Sequence, residues 1–182
     1  MLIATTLVSL DGYCEGPGGD LTALPFDPAF DLHNAELMAA ADTVAAGRVT
    51  FQQFQGYWPH QGDNPHAVER EIHGHFERMA KVVVSDTLTD TAPWESTTEV
   101  VGRAEAADHL RALKQRGSVV VFGSATLRGA LFDAGLVDEF HVVVGAAAVG
   151  GGTPAFRPMA FRLLGVRTWD EFPSVVLRYA PA

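Results

Sequence analysis

Cysteine is almost absent from this chain of 182 residues: Cys14 stands alone, so no internal disulfide forms and a reducing compartment is expected. Basic residues are also scarce, thirteen against twenty-two acidic ones, for a net charge of −9. That balance excludes a broad phosphate-backbone footprint and hence a nucleic-acid partner, though a small anion needs only a few local donors. Long apolar runs are missing too, each being broken by Gly, Thr or charge, which predicts no membrane span. Met1-Leu2-Ile3-Ala4-Thr5-Thr6 lacks the basic flank and apolar stretch of a signal peptide, so a cytoplasmic location is expected. No G-x-S-x-G elbow is present for a Ser–His–Asp hydrolase. His73 and His75 are two apart and would point to different sides of a helix, and no other spacing matches a metal site, so none is predicted.

What is present is a well-folded pattern. Nearly half the residues are apolar, at 47%, enough for a real core, and no linker or repeat interrupts residues 1–182, so one domain is expected. Leu2–Leu10, Thr43–Ala46, Lys81–Ser85, Thr98–Val101, Val119–Phe122 and Phe140–Val144 read as strands. Helical spacing recurs over Pro28–Ala41, Thr50–Gln55, around Val68, Ile72, Phe76 and Met79, over Ala104–Arg116, and from Leu127 to Ala134 with Gly135 at its C-terminal cap. Leu163–Trp169 and Ser174–Tyr179 alternate as an antiparallel pair. The alternation predicts an α/β fold with a mostly parallel sheet and an antiparallel edge.

Chemistry is expected where strands end. Val119–Phe122 runs into Gly123-Ser124-Ala125 and then a helix, a turn that exposes backbone N–H groups and the positive end of a helix dipole to an anion. Gly47-Arg48-Val49-Thr50 is a second such turn, with Thr50 as a candidate cap and Arg48 as a guanidinium beside the helix start. Ser85 follows a third strand. Ligands of open parallel sheets collect beyond the carboxyl ends of strands, so three candidates on one rim point to a nucleotide.

These residues also carry a resemblance. Gly47-Arg48-x-Thr50 is similar to the G-R-x-T element of the dihydrofolate reductase superfamily, and Ser9-Leu10-Asp11-Gly12-Tyr13 to the opening of its riboflavin-type branch. Gly56-Tyr57-Trp58-Pro59, Val84-Ser85, Gly135-Leu136-Val137-Asp138-Glu139 and Gly150–Phe156 follow in family order over nearly the whole chain. The chain resembles the reductase domain that forms the C-terminal part of the riboflavin deaminase-reductase. The resemblance implies a dihydrofolate reductase-like, three-layer α/β/α fold with a mixed sheet and a C-terminal hairpin. It implies NADPH as cofactor, with Gly47, Arg48 and Thr50 at the pyrophosphate and 2′-phosphate side, and Ser85 near the adenosine ribose phosphate. Gly123, Ser124, Ala125, Thr126 and Leu127 would wrap the pyrophosphate, and Ala4, Thr5 and Cys14 would line the nicotinamide pocket. The chain departs from the folate-reductase G-G-G turn by Gly-Ser-Ala. It also carries Leu24-Pro25-Phe26 where a pterin-clamping Trp is expected.

The resemblance implies two carboxylates as candidate catalytic groups. Asp31 lies on the helix after the first loop and, by its spacing back from Gly47, about where folate reductases carry their substrate-binding acid. Asp11 of the branch motif either binds a substrate hydroxyl or shapes the loop. Asp27 and Glu36 remain competitors for the acid role. Arg103 is a candidate rim charge, and Tyr57 and Trp58 either wall a substrate or pack a loop. The expected function is an NADPH-dependent reductase acting on a small heterocyclic or carbonyl/imine substrate. The alternatives are a riboflavin-pathway pyrimidinone reductase and a non-catalytic nucleotide-binding protein. The resemblance implies a homodimer through the sheet-edge region; apolar Phe140–Val144 is consistent with that and equally with a strand buried in the monomer.

Overall fold

The computed structural model describes every residue from Met1 to Ala182. Its first half comprises β1 (Leu2–Val8), β2 (Tyr13–Glu15), α1 (Pro28–Ala39), β3 (Thr43–Gly47), α2 (Arg48–Tyr57), α3 (Ala67–Arg78) and β4 (Ala80–Val84). Then come β5 (Thr98–Val101), α4 (Ala106–Arg116), β6 (Val119–Phe122), α5 (Ala125–Asp133), β7 (Glu139–Val144), β8 (Thr153–Pro154), β9 (Phe161–Thr168) and β10 (Val175–Pro181). No helix is long and apolar enough to cross a membrane.

The chain forms two compact units, Met1–Leu2 with Asp31–Leu136, and Ile3–Phe30 with Val137–Ala182. Two of the boundaries fall inside β1 and α1, and the third, between Leu136 and Val137, in the short connection from α5 to β7.

In the first unit the strands run in the order β5-β4-β3-β6, and every pair is parallel. The middles of β3, β4 and β6 are apolar, Val82 and Val83 in β4 and Val119–Val121 in β6 being buried, as befits strands covered on both faces, while Glu99 and Val100 of the edge strand β5 are exposed. An aromatic cluster fills the space beside them: Phe76 stacks between Trp58 and Trp94, with ring centroids 5.6 and 5.2 Å away, and Phe54 reaches both Phe76 and Phe122. The fully buried phenyl ring of Phe76 contributes about 1.5–3 kcal/mol by leaving water, and the partly buried Phe54 and Trp58 less. Lys81 is buried here and donates to the Met79 carbonyl and Thr97 Oγ1, both at 2.9 Å, while its ammonium lies 5.0 Å from the Trp94 ring centre. Helix α5 ends as its Gly135 anticipates. The Gly135 N–H reaches the Phe132 carbonyl and the Leu136 N–H the Leu131 carbonyl, a Schellman closure.

The second unit carries β1-β7-β10-β9, with β1 parallel to β7 and the pairs β7–β10 and β10–β9 antiparallel. Leu7, Val143, Val176 and Leu24 form its buried centre, with Leu21, Phe30 and Trp169 packed against them. A two-stranded ribbon of β2 and β8 is added to the elements expected from sequence. At two and three residues these strands are too short to show a period.

The fold class is therefore as expected, mixed α/β with a mostly parallel sheet and a C-terminal antiparallel pair. Of the two readings of Phe140–Val144 the structure shows the buried one: the segment lies in β7, between β1 and β10, with Phe140, Val142 and Val143 buried. Its apolarity reflects an interior strand. The edge is β9, where Leu163 and Val166 are more than half exposed, at 52 and 56%.

Candidate active site

Pairing of Thr43, Val44 and Ala45 with Val119, Val120 and Val121 brings Gly47 and Gly123 to matched positions at the carboxyl ends of β3 and β6. Each strand then enters a helix without delay. Gly47 is the N-cap of α2 and Ser124 the N-cap of α5, and neither helix start receives a hydrogen bond from its capping side chain. The first intrahelical bond of α5 is Arg128 N–H to Ser124 O at 2.9 Å, so the amides of Ala125, Thr126 and Leu127 precede the ladder. Two helix N-termini thus lie side by side, and both dipoles favour an anion at this rim.

The turns are tight. Gly123 and Ser124 are both left-handed, at φ 54° and 45°, a conformation costly for serine. A Cβ on Gly47 would sit 2.4 Å from Ser124 Oγ, and one on Gly123 would lie 3.8 Å from Thr50 Oγ1. Glycine at 47 is therefore a matter of close approach between the two strand ends. The buried Arg128 donates to the Gly123 carbonyl at 3.1 Å and fixes the left-handed pair from inside. Sequence reading missed this residue, although an arginine beside Leu127 and Leu131 on the apolar face of α5 was a visible signal.

The structure brings Gly47, Arg48, Thr50, Ser85 and the 123–127 turn together on one unit's rim, since Gly47 pairs with Val84 of β4. Arg48 is exposed and donates to Gln52 Oε1 at 3.1 Å. Thr50 is not a cap: α2 begins at Arg48, two residues before the expected start, because Gly47 already turns the chain. Ser85 is buried, and its Oγ accepts the Thr87 and Leu88 amides at 3.1 and 3.0 Å, closing a turn. Leu127 is buried in the core, so only its backbone is available at the rim. Asp31 lies in α1 of the same unit, and its charge contributes to the Tyr57 environment. Tyr57 is pushed up to about 12, first by its 2.6 Å hydrogen bond to Glu69, then by burial and the charges of Glu69 and Asp31. Trp58 packs on Phe76 and so serves the loop rather than a ligand wall.

The other expected residues lie in the second unit. Ala4 and Thr5 are buried within β1, and Cys14 in β2 places Sγ 3.5 Å from the Thr153 carbonyl. The expectation that they line a cofactor pocket thus meets side chains with almost no exposed surface. Asp11 is engaged with its own unit: it accepts the Ser9 hydroxyl at 2.6 Å and the amides of Val149 and Gly150 at 3.0 and 2.7 Å. These bonds, the Ser9 hydroxyl foremost, lower it to about 2. An ionised carboxylate so held shapes the loop, one of the two roles expected of it. Asp27 likewise accepts the Ala29 amide at 2.9 Å and caps α1.

A parallel α/β sheet with paired, uncapped helix starts and an arginine at its carboxyl rim is a candidate anion-binding site. The family model for the RibD C-terminal domain matches residues 1–176, and the chain belongs to that family. An uncharacterised Bacillus subtilis protein, YyaP, is 26% identical over 176 residues, covering 93% of this chain and 89% of its own. Among solved structures, a putative riboflavin biosynthesis protein from Shewanella sp. PV-4 superposes with a TM-score of 0.71 at 20% identity, covering 100% of this chain and 98% of that one. Dihydrofolate reductase from Enterococcus faecalis, complexed with NADP(H), gives 0.61 at 15% identity, covering 100% and 96%. The fold is dihydrofolate reductase-like, and membership of the family supports a reductase role.

Proposed function

We propose that this protein is an NADPH-dependent reductase that delivers a hydride to a small heterocyclic or carbonyl/imine substrate. The observation that carries the reading is the pair of register-matched strand ends, Gly47 and Gly123, opening two adjacent helix N-termini beside Arg48. The fit is chemical: backbone amides and a guanidinium suit a pyrophosphate, and the absence of a Cβ at Gly47 lets the two turns close together. Gly47, Thr50 and the 123–127 turn would hold the pyrophosphate, Arg48 the 2′-phosphate side, and Ser85 the neighbouring ribose phosphate. The bound nicotinamide would supply the hydride. The chain's own contribution is binding, orientation and a hydrogen-bonding acid, for which Asp31 is assigned. A pyrimidinone is the substrate of the alternative reading, a riboflavin-pathway reductase, and belongs in the substrate panel.

Calorimetric titration with NADPH and NADH tests the cofactor reading, and loss of NADPH absorbance on a panel of pyrimidinones, pterins and carbonyl compounds tests turnover. Binding without turnover on any of them would favour a non-catalytic nucleotide-binding protein; no binding would overturn both. Asp31→Asn is expected to lower turnover while leaving the cofactor dissociation constant unchanged. A homodimer across β9 is part of the proposal, on the strength of its exposed Leu163, Leu164 and Val166, and sedimentation equilibrium reads it directly.

A further inference from the structure

The rim of the first unit continues past the paired helix starts. Gly47 is in register with Val84, Val84 with Val101, and the Ser85 amide donates to the Val101 carbonyl at 2.9 Å. Gly47-Arg48, Ser85-Asp86 and Gly102-Arg103 therefore stand in a row, each step about 4.8 Å, the spacing of neighbouring strands. Asp86 is fixed at the middle of that row. Its Oδ1 accepts the Arg103 backbone amide at 2.9 Å, its Oδ2 lies 3.5 Å from Arg103 Nε, and the Ser85 hydroxyl closes the turn behind it. Both side chains remain largely in solvent, at 72 and 55% for Arg103 and Asp86.

A dinucleotide whose pyrophosphate spans the ends of β3 and β6 places one ribose about two strand spacings along, over β4 and β5. In the two nicotinamide cofactors the adenosine ribose differs at one position, a hydroxyl in NADH and a dianionic phosphate in NADPH. A carboxylate accepts a bond from the hydroxyl and repels the phosphate, whereas an arginine does the reverse. Arg48 and Arg103 stand on one side of that balance and Asp86 on the other, with Asp86 also drawing the Arg103 guanidinium to itself. We propose that Asp86 is the residue that sets cofactor preference, holding the selectivity for NADPH over NADH below what the two arginines alone would give. The inference rests on the cofactor reading above.

The test is calorimetric titration of the wild type, Asp86→Asn, Asp86→Ser and Arg103→Ala with each cofactor, with thermal melts confirming that the variants fold. Asparagine keeps an oxygen for the Arg103 amide and removes only the charge. Asp86→Asn and Asp86→Ser are each expected to tighten NADPH about fivefold without tightening NADH, a gain that shrinks at high salt. Arg103→Ala is expected to weaken NADPH selectively. Parallel changes for both cofactors, or none, in variants of a wild type that binds would overturn the assignment of Asp86. A wild type that binds neither would overturn the cofactor reading itself, and this inference with it.

Discussion

Two turns in this protein use the same device for opposite ends. At the β3 and β6 rim, backbone amides at the start of α2 and α5 are left without a capping side chain, and the turn is held from behind by Arg128. In the second unit, the amides of Val149 and Gly150 converge in a comparable way, but the protein's own Asp11 fills the concavity. An anion-binding arrangement of amides is thus a structural joint when the chain supplies the anion and a candidate site when it does not. Motif matching alone does not separate them, since both turns carry family signatures.

The difference can be broken most severely at Gly152. A Cβ there would fall 1.9 Å from the Glu15 carbonyl, at a φ of 135° that L-residues avoid. Gly152→Ala is expected to cost about 3 kcal/mol or more in urea unfolding; a loss below about 1 kcal/mol would show that the joint is not rigid. At the rim, Arg48→Ala should weaken NADPH by about 1–3 kcal/mol and NADH far less, and equal weakening would remove Arg48 from the 2′-phosphate side. Gly47→Ala sharpens the contrast, because its clash is with a serine hydroxyl that can rotate and its φ of −79° is ordinary. Stability should fall by about 1 kcal/mol or less, while cofactor affinity falls measurably in the same protein.

The smallest effect lies in acid. Asp11 is lowered from 3.8 to about 2, so its contribution to stability is complete above pH 3.8 and disappears as pH falls through about 2. Asp11→Asn should flatten that part of the stability-against-pH curve, which acid titration followed by circular dichroism would record.

Much of this was readable from sequence because the first unit obeys local rules. The strands β3 and β6 are largely apolar runs, and α2 and α5 start immediately after Gly47 and Gly123-Ser124, so the rim announces itself. The second unit is less legible. Phe140–Val144 stayed open between an edge and an interior strand because apolarity does not distinguish an interior strand from one awaiting a partner. Asp11 stayed open between binding a substrate hydroxyl and shaping the loop because two of the groups that engage it, the Val149 and Gly150 amides, lie 138 and 139 positions away. Arg128 and Asp86 went unread since each acts on a backbone group, Gly123 O and Arg103 N, whose position only the fold supplies.

The lone thiol, finally, turns the second unit into its own gauge. Cys14 is 8% exposed, and its sulfur sits against Thr153 across the β2–β8 ribbon, so a thiol reagent reaches it only when that ribbon parts. With no other cysteine to react, the labelling rate of the unmodified protein counts those openings one by one. The same clock, read with and without a bound ligand, reports how far order imposed at one place in the chain is felt at the ribbon.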